Sequence, residues 1–299
     1  MKTGRGILAM MTKNNKIIIT AALTGSQTYK EHNPNVPYTA KEVAEEARRC
    51  REEGASIVHI HARDIKTGKP TSDLNHMKDI MRAVRSESDI LINFSTAISE
   101  WAKEEERIAV VTECKPDLCS LNTGSMNFAF EVNYKTGEIG RDWVFYNSFT
   151  LVTKLALAMK EHGVKPELEV YDIGHIHNTL LLRRQGVFVE PLHYQFVFGV
   201  AGGIRFNLAT FSHMIQELPD GSTWSVCGVG PNSFPVCMVA AASGGHMRVG
   251  LEDNLYISDK TLAKGSWEQV RKAAQIARIV DRDIATPDEA RAILNLPKR

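Results

Sequence analysis

The chain has 299 residues, 43% of them hydrophobic and 24% charged, a globular composition large enough to bury a core without covalent staples. Its formal net charge of +1 gives no electrostatic reason to expect nucleic acid or an acidic membrane as partner. The five cysteines, Cys50, Cys114, Cys119, Cys227 and Cys237, form no C-x-x-C pair and are odd in number, which argues against a disulfide scaffold and for a reducing, cytoplasmic compartment.

Near the start, Ile7 to Met11 is an apolar run too short for a signal-peptide core, and no stretch reaches the ~18 apolar residues of a membrane span. Ile17 to Ala22 reads as a strand. Ala40 to Glu53 reads as a helix, entered through the capping box of Thr39 and Glu42 and stopped by Gly54. Strands follow at Ser56–His61, Ile90–Phe94, Leu118–Leu121, Glu167–Tyr171, Tyr194–Phe198, Trp224–Val229 and His246–Val249. Between them, helices are expected over Asp73–Arg85, Lys103–Glu113, Phe149–His162, Asn178–Gln185, Leu208–Leu218 and Phe234–Ala242. Gly163 and Gly186 end two of these. Trp267–Asp281 is a closing helix, and a terminal one starts at Pro287 behind Thr286.

Strand and helix alternate eight times. Parallel strands need helical crossovers, so the alternation predicts a mostly parallel sheet. No G-x-G-x-x-G follows an early strand, which weighs against an open dinucleotide-binding sheet. Eight units in one chain of this length predict a single α/β domain, a (β/α)8 TIM barrel spanning residues 1–299.

In such barrels, sites gather at the C-terminal strand ends. The second strand leaves as I-V-H-I-H-A-R-D. Side chains alternate along a strand, so His59 and His61 share one face, about 6–7 Å apart, and can share a metal. Past the last strand, G-G-H-M-R-V-G-L-E-D-N crowds His246, Arg248, Glu252, Asp253 and Asn254 together. Either Glu252 or Asp253 would complete a three-ligand set with an open position. Ser95-Thr96, the Asn122–Ser125 run, Glu169, Asp172 and Gly202-Gly203 also fall at strand exits. His32, His76, His162, His193 and His213 are read as structural or solvated, on helices or loops, and no G-x-S-x-G elbow is present.

From Ile17 to Leu296 the chain resembles the β-keto acid cleavage enzymes, whose best-known type cleaves 3-keto-5-aminohexanoate. The likeness rests on I-T-A-A at Ile19, N-P-N-V-P-Y-T at Asn33, G-A-S-I-V-H-I-H-A-R at Gly54 and T-G-S-M-N-F at Thr123. P-E-L-E-V-Y-D at Pro166, Q-F-V-F-G-V at Gln195, G-G-H-M-R-V-G-L-E-D-N at Gly244 and A-T-P-D-E-A-R at Ala285 complete it. The resemblance implies one zinc held by His59, His61 and Glu252. It implies transfer between a β-keto acid and acetyl-CoA, yielding acetoacetate and a new acyl-CoA, and a homo-oligomer, often a tetramer. On that reading Asp253 is the general base, held ionised by Arg248, and Ser95 grips the substrate carboxylate. Gln27, Thr96, Ser120, Asn122, Glu169, Gly202 and Gly203 are expected to contact substrate.

Three positions depart from the family pattern. Gln27 replaces a glutamate, Ala97-Ile98 replace a glycine pair, and Pro231 replaces an arginine. The loss of a carboxylate at Gln27 predicts a substrate tail that is neutral or polar rather than cationic, unless Glu169 supplies the charge; the turn bearing His175 and His177 would add positive charge near pH ~6. Rival readings are a zinc-dependent aldolase or hydrolase on the same barrel, which needs no acetyl-CoA, and a metabolite sensor, which needs no base.

Overall fold

The computed structural model describes residues 15–297; the Ile7–Met11 run lies outside them. Eight strands close into a parallel barrel. In chain order they are β1 (Ile19–Ala22), β2 (Ile57–Ile60), β3 (Leu91–Ser95), β4 (Leu118–Asn122), β7 (Lys165–Val170), β8 (His193–Phe198), β9 (Thr223–Gly228) and β10 (His246–Val249), and β1 pairs with β10 to shut the ring. Two antiparallel hairpins stand outside the barrel: β5 (Met126–Asn133) with β6 (Glu138–Phe145), and β11 (Tyr256–Ser258) with β12 (Thr261–Leu262). The helices are α1 (Ala40–Glu52), α2 (Leu74–Glu87), α3 (Glu104–Ala109), α4 (Phe149–His162), α5 (Ile173–Arg183), α6 (Leu208–Glu217), α7 (Ser233–Ala242), α8 (Ser266–Ile279) and α9 (Pro287–Ile293). No helix among the described residues is long and apolar enough to cross a membrane.

Local chemistry explains most boundaries. The Thr39–Glu42 capping box starts α1, and Thr286 with Glu289 starts α9, with Pro287 in its first turn. Gly163, at φ +66°, caps α4 in the left-handed region. The third helical segment is shorter than its sequence suggests, because it continues from Val110 to Cys114 as a π-helical turn. The fifth starts earlier than Asn178. Asp172 accepts from the Gly174 amide at 3.1 Å and caps it, so His175 and His177 sit in a helix rather than a turn.

Strand alternation divides the barrel into two environments. Ile19, Val58, Ile60, Ile92, Phe94, Leu121, Leu168, Phe196 and Val249 belong to the apolar layer between sheet and helices. The intervening residues, among them His59, Asn93, Ser95, Ser120, Asn122, Glu167, Glu169, Gln195, Ser225 and Arg248, are buried and polar. The barrel interior is thus a polar column, as the period of two in L-I-N-F-S and P-E-L-E-V requires. At the N-terminal strand ends, Ile18, Ile57, Leu91 and Leu118 pack against Ala290 of α9 and Leu294 just past it, and this segment plugs that end of the barrel.

Candidate metal centre and active site

His59 lies on β2 and His61 just past its C-terminal end, side by side on the interior face, with ring centroids 5.2 Å apart. Glu252 comes from the loop after β10. Its Oε1 lies 3.6 Å from His59 Nε2 and 3.4 Å from His61 Nε2. Those separations are long for hydrogen bonds, but they match the roughly 3.4 Å edge of a tetrahedron with metal–ligand bonds of about 2.0–2.1 Å. Among the described residues, these three form a donor group of the kind that holds a metal ion, their ligand atoms all within 4.8 Å of one another.

The charges agree with that fit. One guanidinium, Arg248, serves three carboxylates. It reaches Glu169 at 3.2 Å, Glu252 at 2.6 Å, and Asp253 through Nε at 3.0 Å and Nη2 at 2.9 Å. When all three are ionised, one positive charge faces three negative ones, an imbalance that a divalent cation on the donor group would offset. Burial pushes the Glu169 carboxyl up to about 8, against the pull of Arg248. Burial also raises Asp253, with Arg248 opposing and the Glu252 charge adding to the rise. At Glu252 burial acts in the same direction, but Arg248 and the two imidazoles outweigh it and hold the carboxyl well below its usual range. His59 is lowered well below 6.5 by burial, so its ring is neutral and free to act as a ligand.

The loop after β1 closes one side. Gly25 donates its amide to Glu252 Oε2 at 3.1 Å. It does so at φ +62°, and a β-carbon there would lie 2.8 Å from Glu252 Cγ, so both the backbone conformation and the close approach call for glycine. Arg63 follows the H-x-H pair but is not part of the donor group. It is fully buried, donates to Gly68 O at 2.6 Å and to Gly25 O, and stacks 4.6 Å from the Tyr29 ring centroid. Its work is to pin the Gly25 turn. Thr24 exchanges two 2.8 Å hydrogen bonds with the His61 backbone, a contact the sequence did not announce. Nor did it announce that Cys227 lies beside Asp253, where its thiol works against the rise of that carboxyl.

One cavity gathers Gln27, His61, Ser95, Glu169, Arg248, Glu252 and Asp253. Ser120 and Thr96 lie behind Ser95: Thr96 Oγ1 donates to Ser120 O at 2.7 Å, and Ser120 Oγ stands 3.5 Å from Ser95 Oγ. Asn122 is buried, both its side-chain polar atoms without a hydrogen-bond partner. Gly202 and Gly203 line a separate groove beside the β5–β6 hairpin, where Gly202 packs against the Asn127 carbonyl. Four histidine placements need correction. His246 opens β10 at the strand's N-terminal end, where its Nδ1 accepts from Ile18 N at 3.0 Å, away from Arg248. His193 opens β8 rather than lying on a helix or loop. His177 is exposed and 3.2 Å from Glu217, while buried His175 accepts from Tyr171 N, and neither lines the cavity.

Residues 16–296 match the family model described as beta-keto acid cleavage enzyme. The chain belongs to that family. As a β-keto acid cleavage enzyme, it is 39% identical over 284 residues to the 3-keto-5-aminohexanoate cleavage enzyme of Fusobacterium nucleatum, covering 95% of this chain and 99% of the relative. It is 35% identical to the 3,5-dioxohexanoate:acetyl-CoA acetone transferase of Paraburkholderia graminis, covering 96% and 97%. Among solved structures, the apo form of ObcA superposes with a TM-score of 0.72 at 20% identity, over 88% of the enzyme and 66% of ObcA, a likeness of fold.

Sequence reading missed a group of aromatic residues. The β5–β6 hairpin brings Phe128, Phe130, Trp143 and Phe145 to the same cavity. Their signal was present in M-N-F-A-F-E-V-N and E-I-G-R-D-W-V-F, two period-two runs flanking the turn Y-K-T-G.

Proposed function

We propose that this enzyme is an acyltransferase that converts a β-keto acid and acetyl-CoA into acetoacetate and a new acyl-CoA. The observation that carries the reading is a single cavity holding the His61–Glu252 edge of the donor group beside Asp253 in the grip of Arg248, in a chain of this family. His59, His61 and Glu252 are the residues that would hold a divalent ion, zinc by their chemistry. When bound, such an ion supplies Lewis acidity that polarises a keto group and acidifies the neighbouring carbon.

The protein's part follows from position. Ser95 and nearby backbone amides hold the substrate carboxylate at the mouth of β3. Asp253 takes a proton from the carbon between keto and carboxylate groups, and Arg248, bonded to both its oxygens, fixes its orientation. The carbanion attacks the acetyl thioester, a carbon–carbon bond forms and CoA thiolate leaves. The thiolate then attacks the original keto carbon. The bond between that carbon and the substrate's former α-carbon breaks, and acetoacetate departs after its carbanion recovers the proton from Asp253. Gln27 is neutral and already accepts from Arg141 Nη2 at 3.2 Å, which supports a tail without positive charge. A homotetramer belongs to the same reading, and light scattering on the purified protein measures it.

The test is acetoacetate release from a panel of β-keto acids with and without acetyl-CoA. Release that depends on acetyl-CoA, with matching acyl-CoA formed, is the expected result. Cleavage that proceeds equally without acetyl-CoA would instead make the enzyme an aldolase or hydrolase.

A further inference from the structure

The hairpin of β5 and β6 contributes nothing to the donor group, yet it forms one wall of its cavity. Phe128 stacks on Trp143 with centroids 5.1 Å apart, and Phe130 stacks on the same ring at 5.3 Å. Phe145 and Phe128 both meet the Tyr171 ring edge-on at 6.2 Å. Facing this sheet of rings, Val197, Val200 and Val229 line the cavity from the barrel side. Phe128 and Phe145 pack in part against the small apolar cluster of Tyr171, Val197 and Cys227, yet all four rings stay only half-buried, and the aromatic surface left along a reaction cavity is one that binds something apolar.

The charges around it point the same way. Of the carboxylates lining the cavity, Glu169, Glu252 and Asp253 share Arg248. The fourth, Glu100, stands 3.2 Å from Arg141 Nη2, and the Arg141 guanidinium lies 5.3 Å from the Trp143 centroid. With a divalent ion on the donor group, each of these acids has a positive partner, so an ammonium on the substrate would meet no free carboxylate in the cavity, and it would meet a guanidinium beside the rings that could otherwise receive a cation. The rings stack on one another rather than forming an open cage.

We propose that the β5–β6 hairpin is the tail pocket, and that the keto acid this enzyme takes carries an uncharged apolar chain, alkyl or aryl, packed on Phe128 and Trp143. This rests on the β-keto acid reading for the carboxylate end but is measurable without turnover. Calorimetric titration of the metal-replete enzyme with straight-chain 3-oxo acids of four to eight carbons, without acetyl-CoA, reports affinity against tail length. Affinity should rise about threefold to fourfold per methylene, as burial of each adds its transfer free energy. In Trp143→Ala and Phe128→Ala that slope should flatten, while affinity for the four-carbon acid stays within about twofold of wild type. A flat wild-type series would overturn the proposal, as would tighter binding of an amino- or trimethylammonium-bearing acid than of an uncharged acid of equal length. Acetoacetate release scores the reaction separately. A binding slope without acetoacetate would retire the reaction and leave the tail pocket standing.

Discussion

At the scale of single residues, adjacent carboxylates are assigned different tasks by their surroundings. Glu252 faces two imidazoles, and Asp253 faces a guanidinium that takes both of its oxygens. His59→Ala and His61→Ala should each lose most bound metal by elemental analysis, with activity lost as well; full metal content in both would remove the donor group from consideration. Asp253→Asn should keep metal and fold while kcat falls by roughly 10²–10⁴, the usual worth of a general base. Glu252→Gln should show the opposite pattern, with metal loss first. Exchanged phenotypes would mean that ligand and base are reversed. Gly25→Ala tests the closing turn. Its new methyl would meet Glu252 Cγ at 2.8 Å in a left-handed backbone that costs a non-glycine residue about 1–2 kcal/mol. Metal affinity should therefore drop although no ligand has changed, and a titration with a chromogenic chelator gives the number.

At the scale of elements, what could be read depended on whether the signal was local. α4 runs from Phe149 to His162 as its sequence indicates, because Ser148 and Gly163 mark both ends chemically. The H-x-H pair was legible because a period of two fixes which side chains share a face, and Glu252 with Asp253 because they follow the last strand of a barrel. The choice between those two acids was not legible from spacing. It is made by backbone geometry, with Gly25 N on Glu252 and Gly230 N on the Asp253 carbonyl. The start of α5 was missed because Gly174 and two histidines weaken a helical pattern that only the Asp172 cap begins. The β5–β6 hairpin was missed for a different reason. It interrupts the strand–helix alternation, and an insertion outside the repeat has no place in a barrel count. Arg141 joins that hairpin to the body through Gln27 and Glu100. Because these contacts are largely exposed, Arg141→Ala should leave the melting temperature nearly unchanged while speeding hydrogen exchange across 126–145; equal exchange in both proteins would show that the hairpin does not need the contact.

At the scale of the whole molecule, the last helix of the ring must dock on the first. α8 begins at Ser266 behind Gly265, which has no side chain to cap it. Glu46 of α1 takes that role from across the ring, accepting from Trp267 N at 3.1 Å. Glu46 is only 7% exposed, and burial pushes its carboxyl from 4.5 up to about 7 despite the backbone amides that favour its charge. A raised acid favours the fold when protonated. Below pH ~4.5 both folded and unfolded chains carry the proton and the docking is at full strength. Between 4.5 and 7 the unfolded chain gives up its proton while the fold still holds it, so stability falls as pH rises, by on the order of 3 kcal/mol in all. Above 7 both are ionised and the loss is complete. Glu46→Gln keeps an acceptor for the Trp267 amide and removes the ionisation. Its melting temperature, relative to wild type, should therefore climb by a few degrees between pH 5 and pH 8 and then level off. A difference that stays constant over that range would mean that Glu46 titrates in the fold as it does in water, and that the α1–α8 junction is set by packing alone.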